Sequence, residues 1–282
     1  MANKIKIVTD SSIQLSAEEV KQYEITVVPL TIVIDKMIYT DGVNITRTEF
    51  MEKMAVAKNL PQTSQPSIGT FLDKYDELSA DGSEILSIHM SKNLSGTVNA
   101  ARQAAQISKA GVTVVDSEFI DRAMAFQVLT AAKMAQEGKE MTAIIDAMQT
   151  VKEHTQLYMS VTNLTNLVKG GRLSRVSGIL STLLNVKVVL QFRDNTLEPI
   201  HKGRGMKTIN NFYHELLEQM QQSVRPIKMI GISHADAPTL ANQIKEQLKV
   251  IFPDVAVLVA PTSPVVSTHS GAGAMAVMFY TD

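Results

Sequence analysis

Ile5-Lys6-Ile7-Val8-Thr9-Asp10-Ser11-Ser12 is the stretch on which the reading of this chain turns. A short β-branched run ends at a polar turn, and Asp10-Ser11-Ser12 supplies both turn and helix-cap chemistry. A short helix over residues 15–23 is expected to follow. The same grammar returns twice downstream. Glu84-Ile85-Leu86-Ser87-Ile88-His89-Met90 reads as a strand, then Ser91-Lys92-Asn93-Leu94-Ser95 as a polar loop, then residues 96–109 as a helix. Val112-Thr113-Val114-Val115 reaches Asp116-Ser117 ahead of a long helix over residues 121–136. Strands alternating with helices make βαβ units and a mostly parallel sheet. In open sheets of this kind ligands bind beyond the carboxyl ends of the strands, so the three polar loops are the first candidates for a site.

Working outward, residues 25–34 read as one strand in which Pro29 marks an irregular or edge position. Thr46-Arg47-Thr48-Glu49 resembles a capping box opening a helix toward Met54. Residues 142–154 read as a further helix. Past residue 160 the texture changes. Residues 190–200 look like a hairpin centred on Asp194-Asn195. Helices over 208–222 and 239–250 alternate with strands over 227–233 and 255–260, and residues 274–280 form a last strand. The expected fold class is α/β with two domains. An α/β domain with a mostly parallel sheet covers residues 1–160, and an α+β domain over 161–282 packs against it, the boundary falling within 155–170.

Composition narrows the function. The 282 residues are 45% hydrophobic and 20% charged, ordinary for a globular chain. Such a length buries a large core without staples. There is no Cys, which removes disulfides, thiolate metal sites and cysteine nucleophiles together. A net charge of -1 lacks the basic excess of a dedicated nucleic-acid binder. Met1-Ala2-Asn3-Lys4-Ile5-Lys6-Ile7-Val8 carries no secretory signal, and no apolar run approaches the ~20 residues of a bilayer span. The expectation is a cytoplasmic protein without stable membrane insertion. With 15 Met, no Trp and 5% aromatic residues, the chain has either an ordinary core or a pliable ligand tunnel.

Four polar clusters carry what chemistry there is. Pro61-Gln62-Thr63-Ser64-Gln65-Pro66-Ser67 is either a linker with a helix cap or a rigid loop presenting Thr63; Pro66 keeps Gln65 extended. Ser91-Lys92-Asn93-Leu94-Ser95-Gly96-Thr97 is either a plain N-cap or an anion cradle at a helix start. Lys169-Gly170-Gly171-Arg172-Leu173-Ser174-Arg175 is either a helix stop with solvated charges or a loop bringing the Arg172 fork to an oxyanion. In Ser267-Thr268-His269-Ser270-Gly271-Ala272-Gly273 small neighbours leave the His269 ring open to close approach. The P-loop spacing, the Gly-x-Gly-x-x-Gly fingerprint, the Gly-x-Ser-x-Gly elbow and His-Glu-x-x-His are all absent. No metal site and no cofactor is expected.

In their order these segments resemble the DegV family, bacterial fatty-acid-binding proteins, over essentially the whole chain. The matching pieces are Val8-Thr9-Asp10-Ser11-Ser12, Thr63-Ser64-Gln65-Pro66, Leu94-Ser95-Gly96-Thr97, Val115-Asp116-Ser117, Lys169-Gly170-Gly171-Arg172-Leu173-Ser174 and His269-Ser270-Gly271-Ala272-Gly273. Leu173 stands where Ile is common. The resemblance implies two domains, with residues 61–80 packing toward the second, and a long-chain fatty acid in a tunnel walled in part by Met. It implies that Thr63, Ser95 and His269 bind the carboxylate, the last with added charge if protonated, supported by Ser64, Gly96, Thr97, Arg172 and Ser270. It further implies a carrier, not an enzyme, that presents the acid to a separate ATP-dependent fatty acid kinase. The product would be an acyl phosphate for phospholipid synthesis. Arg172, Lys202 and Arg204 are the candidates for docking that kinase. Two other readings stay open: a stand-alone hydrolase or acyl-transfer enzyme using Ser95 and His269, and a metabolite-sensing regulatory protein.

Overall fold

The structure is a computed structural model that describes residues 4–172 and 186–282. The opening stretch forms β1 (Ile5–Asp10), followed by α1 (Ala17–Gln22) behind a capping box of Ser16 and Glu19. β2 (Thr26–Val28) pairs parallel to β1. The expected single strand over 25–34 is broken. Pro29 donates no amide, and past it β3 (Thr31–Ile34) leaves the first sheet. β3 pairs antiparallel with β4 (Met37–Thr40) and, after α2 (Arg47–Val56), with β5 (Gln62–Ser64). The segment expected as a linker or loop at Thr63 is therefore a strand, with Thr63 opposite Ile32.

α3 (Ile68–Leu78) leads to β6 (Glu84–His89), α4 (Thr97–Ile107) and β7 (Val112–Asp116). The order β2-β1-β6-β7 is parallel throughout, as the alternation of strands and helices requires. Strand period two divides the faces. Val8 and Ile85 pack on Phe71, Tyr75 and the alanines of α4. Ile7, Leu86 and Ile88 face the other way, toward α5 (Asp121–Gln136).

Nearly every residue of α5 from Asp121 to Ala132 is buried. A helix hidden all round lies between layers, and here the second layer is a six-stranded sheet. It begins, after α6 (Met141–Glu153), with β8 (Thr155–Val161), which had no counterpart in the expected elements. α7 (Thr165–Lys169) precedes the hairpin of β9 (Lys187–Arg193) and β10 (Thr196–Gly203). Its turn is where expected, and both Asp194 and Asn195 have positive φ, as a two-residue turn of this kind demands. α8 (Lys207–Gln221), β11 (Ile227–Ala235), α9 (Pro238–Ile251) and β12 (Val257–Pro261) follow within a few residues of expectation. α10 (Pro264–Ser270) and β13 (Ala274–Thr281) end the chain. The order is β10-β9-β8-β13-β11-β12, antiparallel except for β11 with β12. α8 and α9 cover its outer face, and Leu157, Leu190, Phe192 and Met278 point inward toward α5. Among the described residues no helix is long and apolar enough to cross a membrane.

Candidate functional site

A cavity of about 350 Å³ lies where the three sheets meet, within the usual range of small-molecule sites. Leu30, from the break between β2 and β3, forms part of its wall, with Met90, Leu94 and Ile120 from the loops beyond the parallel strands. The six-stranded sheet adds Leu157, Met159, Phe192 and Leu197; α7 and α10 add Leu167, Val265 and Val266. Polar groups come from Thr63, Ser64 and Gln65, from Ser95 and Gly96, from Arg172, and from His269 and Ser270.

Distant segments meet in this polar cluster. Thr63 Oγ1 and His269 Nε2 are 2.9 Å apart, and Ser95 Oγ lies 2.9 Å from Thr97 Oγ1. Arg172 donates from Nε to the Leu94 carbonyl at 3.2 Å and from a terminal nitrogen to the Gly170 carbonyl at 2.7 Å. Gly96 has no side chain because the Gln65 amide occupies that space. His269 rides on α10. Ser263 caps that helix, Pro264 opens it, and Asn166 of α7 donates to the Thr268 carbonyl at 2.9 Å.

Burial pushes the His269 imidazole down to about 4, and the Arg172 charge pushes the same way. The ring is therefore neutral at pH 7. If Nε2 carries the proton it donates to Thr63, which frees the Thr63 hydroxyl hydrogen for a ligand. His269 Nδ1 and the Ser270 hydroxyl are buried without a hydrogen-bond partner among the described residues. Such groups cost free energy unless something pairs with them.

Beneath the cluster lies a buried polar support. Asp10 accepts the Ser12 amide and hydroxyl on one oxygen and the Met90 amide on the other, with His89 Nδ1 at 3.0 Å. His89 Nε2 continues to Ser87 at 2.7 Å and Ser87 to Tyr75 at 2.8 Å. Ser11 donates to Asp41 at 2.8 Å and accepts the Leu30 amide at 3.0 Å. Burial pushes the Asp41 carboxyl up to about 7, against the Ser11 bond and the Arg47 charge.

Thr63, Ser64, Ser95, Gly96, Arg172, His269 and Ser270 thus all border one cavity. Thr97 does not border it and instead holds Ser95. Lys202 and Arg204 lie outside it; Lys202 is on strand β10 and not on a loop, and both are exposed. Leu173, Ser174 and Arg175 fall outside the described residues. Met90 and Met159 border the cavity, whereas Met124, Met148 and Met278 are packed in the core around α5 and α6. Sequence reasoning passed over Gln65, although it sits inside a quoted motif, and Phe192, which lies in a stretch read only as a hairpin. It also passed over the α10 signal of Ser263-Pro264 ahead and Gly271 behind.

A family profile described as "Uncharacterised protein, DegV family" matches residues 4–282, and the chain belongs to that family. A DegV domain-containing protein of Streptococcus pneumoniae serotype 4 is 48% identical over 275 residues, covering 98% of each chain. Another from Listeria innocua is 42% identical over 280 residues, covering 99% of each. Among solved structures, DegV of Bacillus subtilis, described as a fatty acid binding protein, has a TM-score of 0.92 at 30% identity and covers 99% of this chain and 100% of its own. A Thermus thermophilus DegV family protein, described by its fatty acid binding, has a TM-score of 0.88 at 28% identity and covers 99% of this chain and 100% of its own.

Proposed function

We propose that this protein binds a long-chain fatty acid in the cavity between its sheets, with the carboxylate at Thr63, Ser95 and His269. The observation that carries the reading is the distribution of chemistry in that cavity: hydroxyls, an imidazole and a guanidinium cluster together, and the remaining wall is apolar. A fatty acid divides the same way. Each buried methylene contributes about 0.8 kcal/mol, so a tail of ~16 carbons supplies ample driving force. A buried carboxylate without partners would cost several kcal/mol; the bonded Thr63–His269 pair keeps one hydrogen to donate, and the Ser95 hydroxyl can turn another toward the head group. Ser64, Gly96, Arg172 and Ser270 support the head group from the rim, and Thr97 does so through Ser95. The fatty acid binding named for the Bacillus subtilis and Thermus thermophilus relatives supports the same ligand.

The chain is read as two domains meeting at the cavity, the second starting within residues 155–170; support comes from β8, whose first residue Thr155 opens the six-stranded sheet. It is a cytoplasmic carrier and not a catalyst. It presents the carboxylate to a separate ATP-dependent kinase, whose acyl phosphate product feeds phospholipid synthesis. The exposed Lys202 and Arg204, with Arg172 at the rim, are the docking candidates. The hydrolase reading is disfavoured by the bonding pattern, since Ser95 Oγ is engaged with Thr97 and His269 Nε2 with Thr63. The test is solvent extraction of purified protein followed by mass spectrometry, together with titration of palmitate and oleate. A co-purifying or bound fatty acid is the expected result. Absence of both, or stabilisation by other metabolites alone, overturns the reading.

A further inference from the structure

Phe192 borders both the cavity and a second hollow, of about 530 Å³. Among the described residues it is the one shared by the two linings. The second hollow is polar. Lys152 and Glu118 pair there at 3.2 Å, with Gln156, Gln191 and Arg193 beside them. The Phe192 ring stands 5.7 Å from that of Phe119, the planes inclined by 44°, and both residues are buried. Neither ring has a mobile base. β9 is paired on both sides, by β8 and β10. Phe119 is pinned at its backbone: its carbonyl accepts the Ser91 amide at 2.9 Å and the Ser117 hydroxyl at 3.2 Å, and its amide donates to Ser117 Oγ at 3.2 Å.

We propose that the Phe119–Phe192 ring pair is the end stop of the acyl chamber and sets the longest fatty acid this protein accepts. The inference rests on the fatty-acid reading above and adds the residues that select chain length. Burial favours each further methylene by about fourfold in affinity, as long as the methylene finds apolar space. Phe119 lines the second hollow and not the cavity, so a tail that reaches the end meets the Phe192 ring backed by Phe119, and close-packed interiors resist such insertion. Beyond the rings an ion pair and amides offer a hydrocarbon tail no gain. A hydroxyl on the terminal carbon would be stranded against the rings without a partner.

Affinities are measured for a ladder of saturated acids from about 12 to about 22 carbons, and for 16-hydroxyhexadecanoic acid against palmitate. Wild type is expected to gain with length and then level off or fall, and to bind the hydroxy acid about tenfold or more weakly than palmitate. Phe192→Ala vacates the volume of the ring and opens the chamber to the second hollow, so its optimum moves to acids longer by the few methylenes that fill that volume, and its discrimination against the terminal hydroxyl shrinks. Phe119→Ala moves both readouts the same way, and Phe192→Leu, which keeps an apolar plug, moves them less. An unchanged optimum in folded Phe192→Ala and Phe119→Ala proteins overturns the end stop while palmitate binding stands. Equal wild-type affinity for palmitate and the hydroxy acid overturns it as well, and needs no variant to fold. If no acid of any length binds wild type, the fatty-acid reading fails and takes the end stop with it.

Discussion

Gly170 packs its α-carbon against the imidazole of His269 so closely that a methyl group there would overlap Nδ1 and crowd Cε1 at 3.1 Å. The paired glycines of the Lys169-Gly170-Gly171-Arg172 segment therefore do two different things. Gly170 makes room for the ring, whereas Gly171 has φ of +73°, and a β-carbon there would meet none of the described residues within 4 Å. Gly170→Ala is expected to displace His269, lower palmitate affinity at least tenfold and cost roughly 1–3 kcal/mol of stability. Gly171→Ala is expected to cost about 1 kcal/mol through backbone strain alone and to leave affinity nearly intact. Palmitate titration and urea unfolding of the two variants check this; equal binding losses would refute the division.

Removing the Thr63 hydroxyl tests the other partner of His269. Thr63→Val keeps the shape and leaves Nε2 without the bond it makes at 2.9 Å. A weakening of palmitate binding by roughly 1–3 kcal/mol is expected, with the fold retained by circular dichroism. Unchanged affinity would remove Thr63 from the head-group site.

The buried His269 makes stability depend on pH with a definite sign. Its pKa is held at about 4 in the folded protein against 6.5 in the unfolded chain. Between those values the unfolded chain binds the proton and the folded one does not, so stability falls as pH is lowered through that window. The contribution is at most ~3 kcal/mol. Urea unfolding of wild type and His269→Asn between pH 7 and 4 should show the wild type losing more.

Asp41 acts in the opposite direction. Its pKa rises from 3.8 to about 7 on folding, so the folded state holds a proton that the unfolded state has released. Stability conferred at low pH is lost as pH rises through that window. Asp41→Asn, which keeps an acceptor for the Ser11 hydroxyl, is expected to stabilise at pH 8 and to be neutral near pH 4. The ceiling is ~4 kcal/mol. A variant less stable than wild type at pH 8 would contradict this.

The proposed kinase docking separates from binding by position. Lys202 and Arg204 lie outside the cavity. Lys202→Ala with Arg204→Ala is expected to leave palmitate affinity unchanged while slowing acyl phosphate formation by a partner kinase at least tenfold. Equal rates for wild type and variant would withdraw the docking role.

The parallel half was legible because its elements are written locally. The β-branched run into Asp10-Ser11-Ser12 and the run into Asp116-Ser117 each announce a strand and its end. The site polar residues were legible as segments, since Thr63, Ser95, Arg172 and His269 stand in short polar or glycine-bearing stretches. The failures have physical causes. The run from Ile25 to Ile34 is β-branched apart from Pro29 and Leu30, and only pairing partners decide that it splits there between two sheets. β5 is polar and short, so nothing in Gln62-Thr63-Ser64 reports the strand; β3 imposes it. β8 was readable in retrospect, because Leu157, Met159 and Val161 alternate with Gln156, Tyr158 and Ser160. The apolar lining is a property of faces brought together over long sequence distances, and Phe192 reads alone as any strand aromatic.

The sandwiched position of α5 has a consequence for how the molecule comes apart. One face of the helix meets the parallel sheet, and its first turn ties the two layers together: the Asp121 carboxylate accepts the hydroxyls of Ser233 and Thr262 from the second, while Arg122 grips Glu19 of α1 in the first through two contacts of 2.7 Å. Neither sheet can melt without stripping this shared helix of half its cover. Heating should therefore produce one calorimetric endotherm, with no surviving half-molecule to be recovered by limited proteolysis.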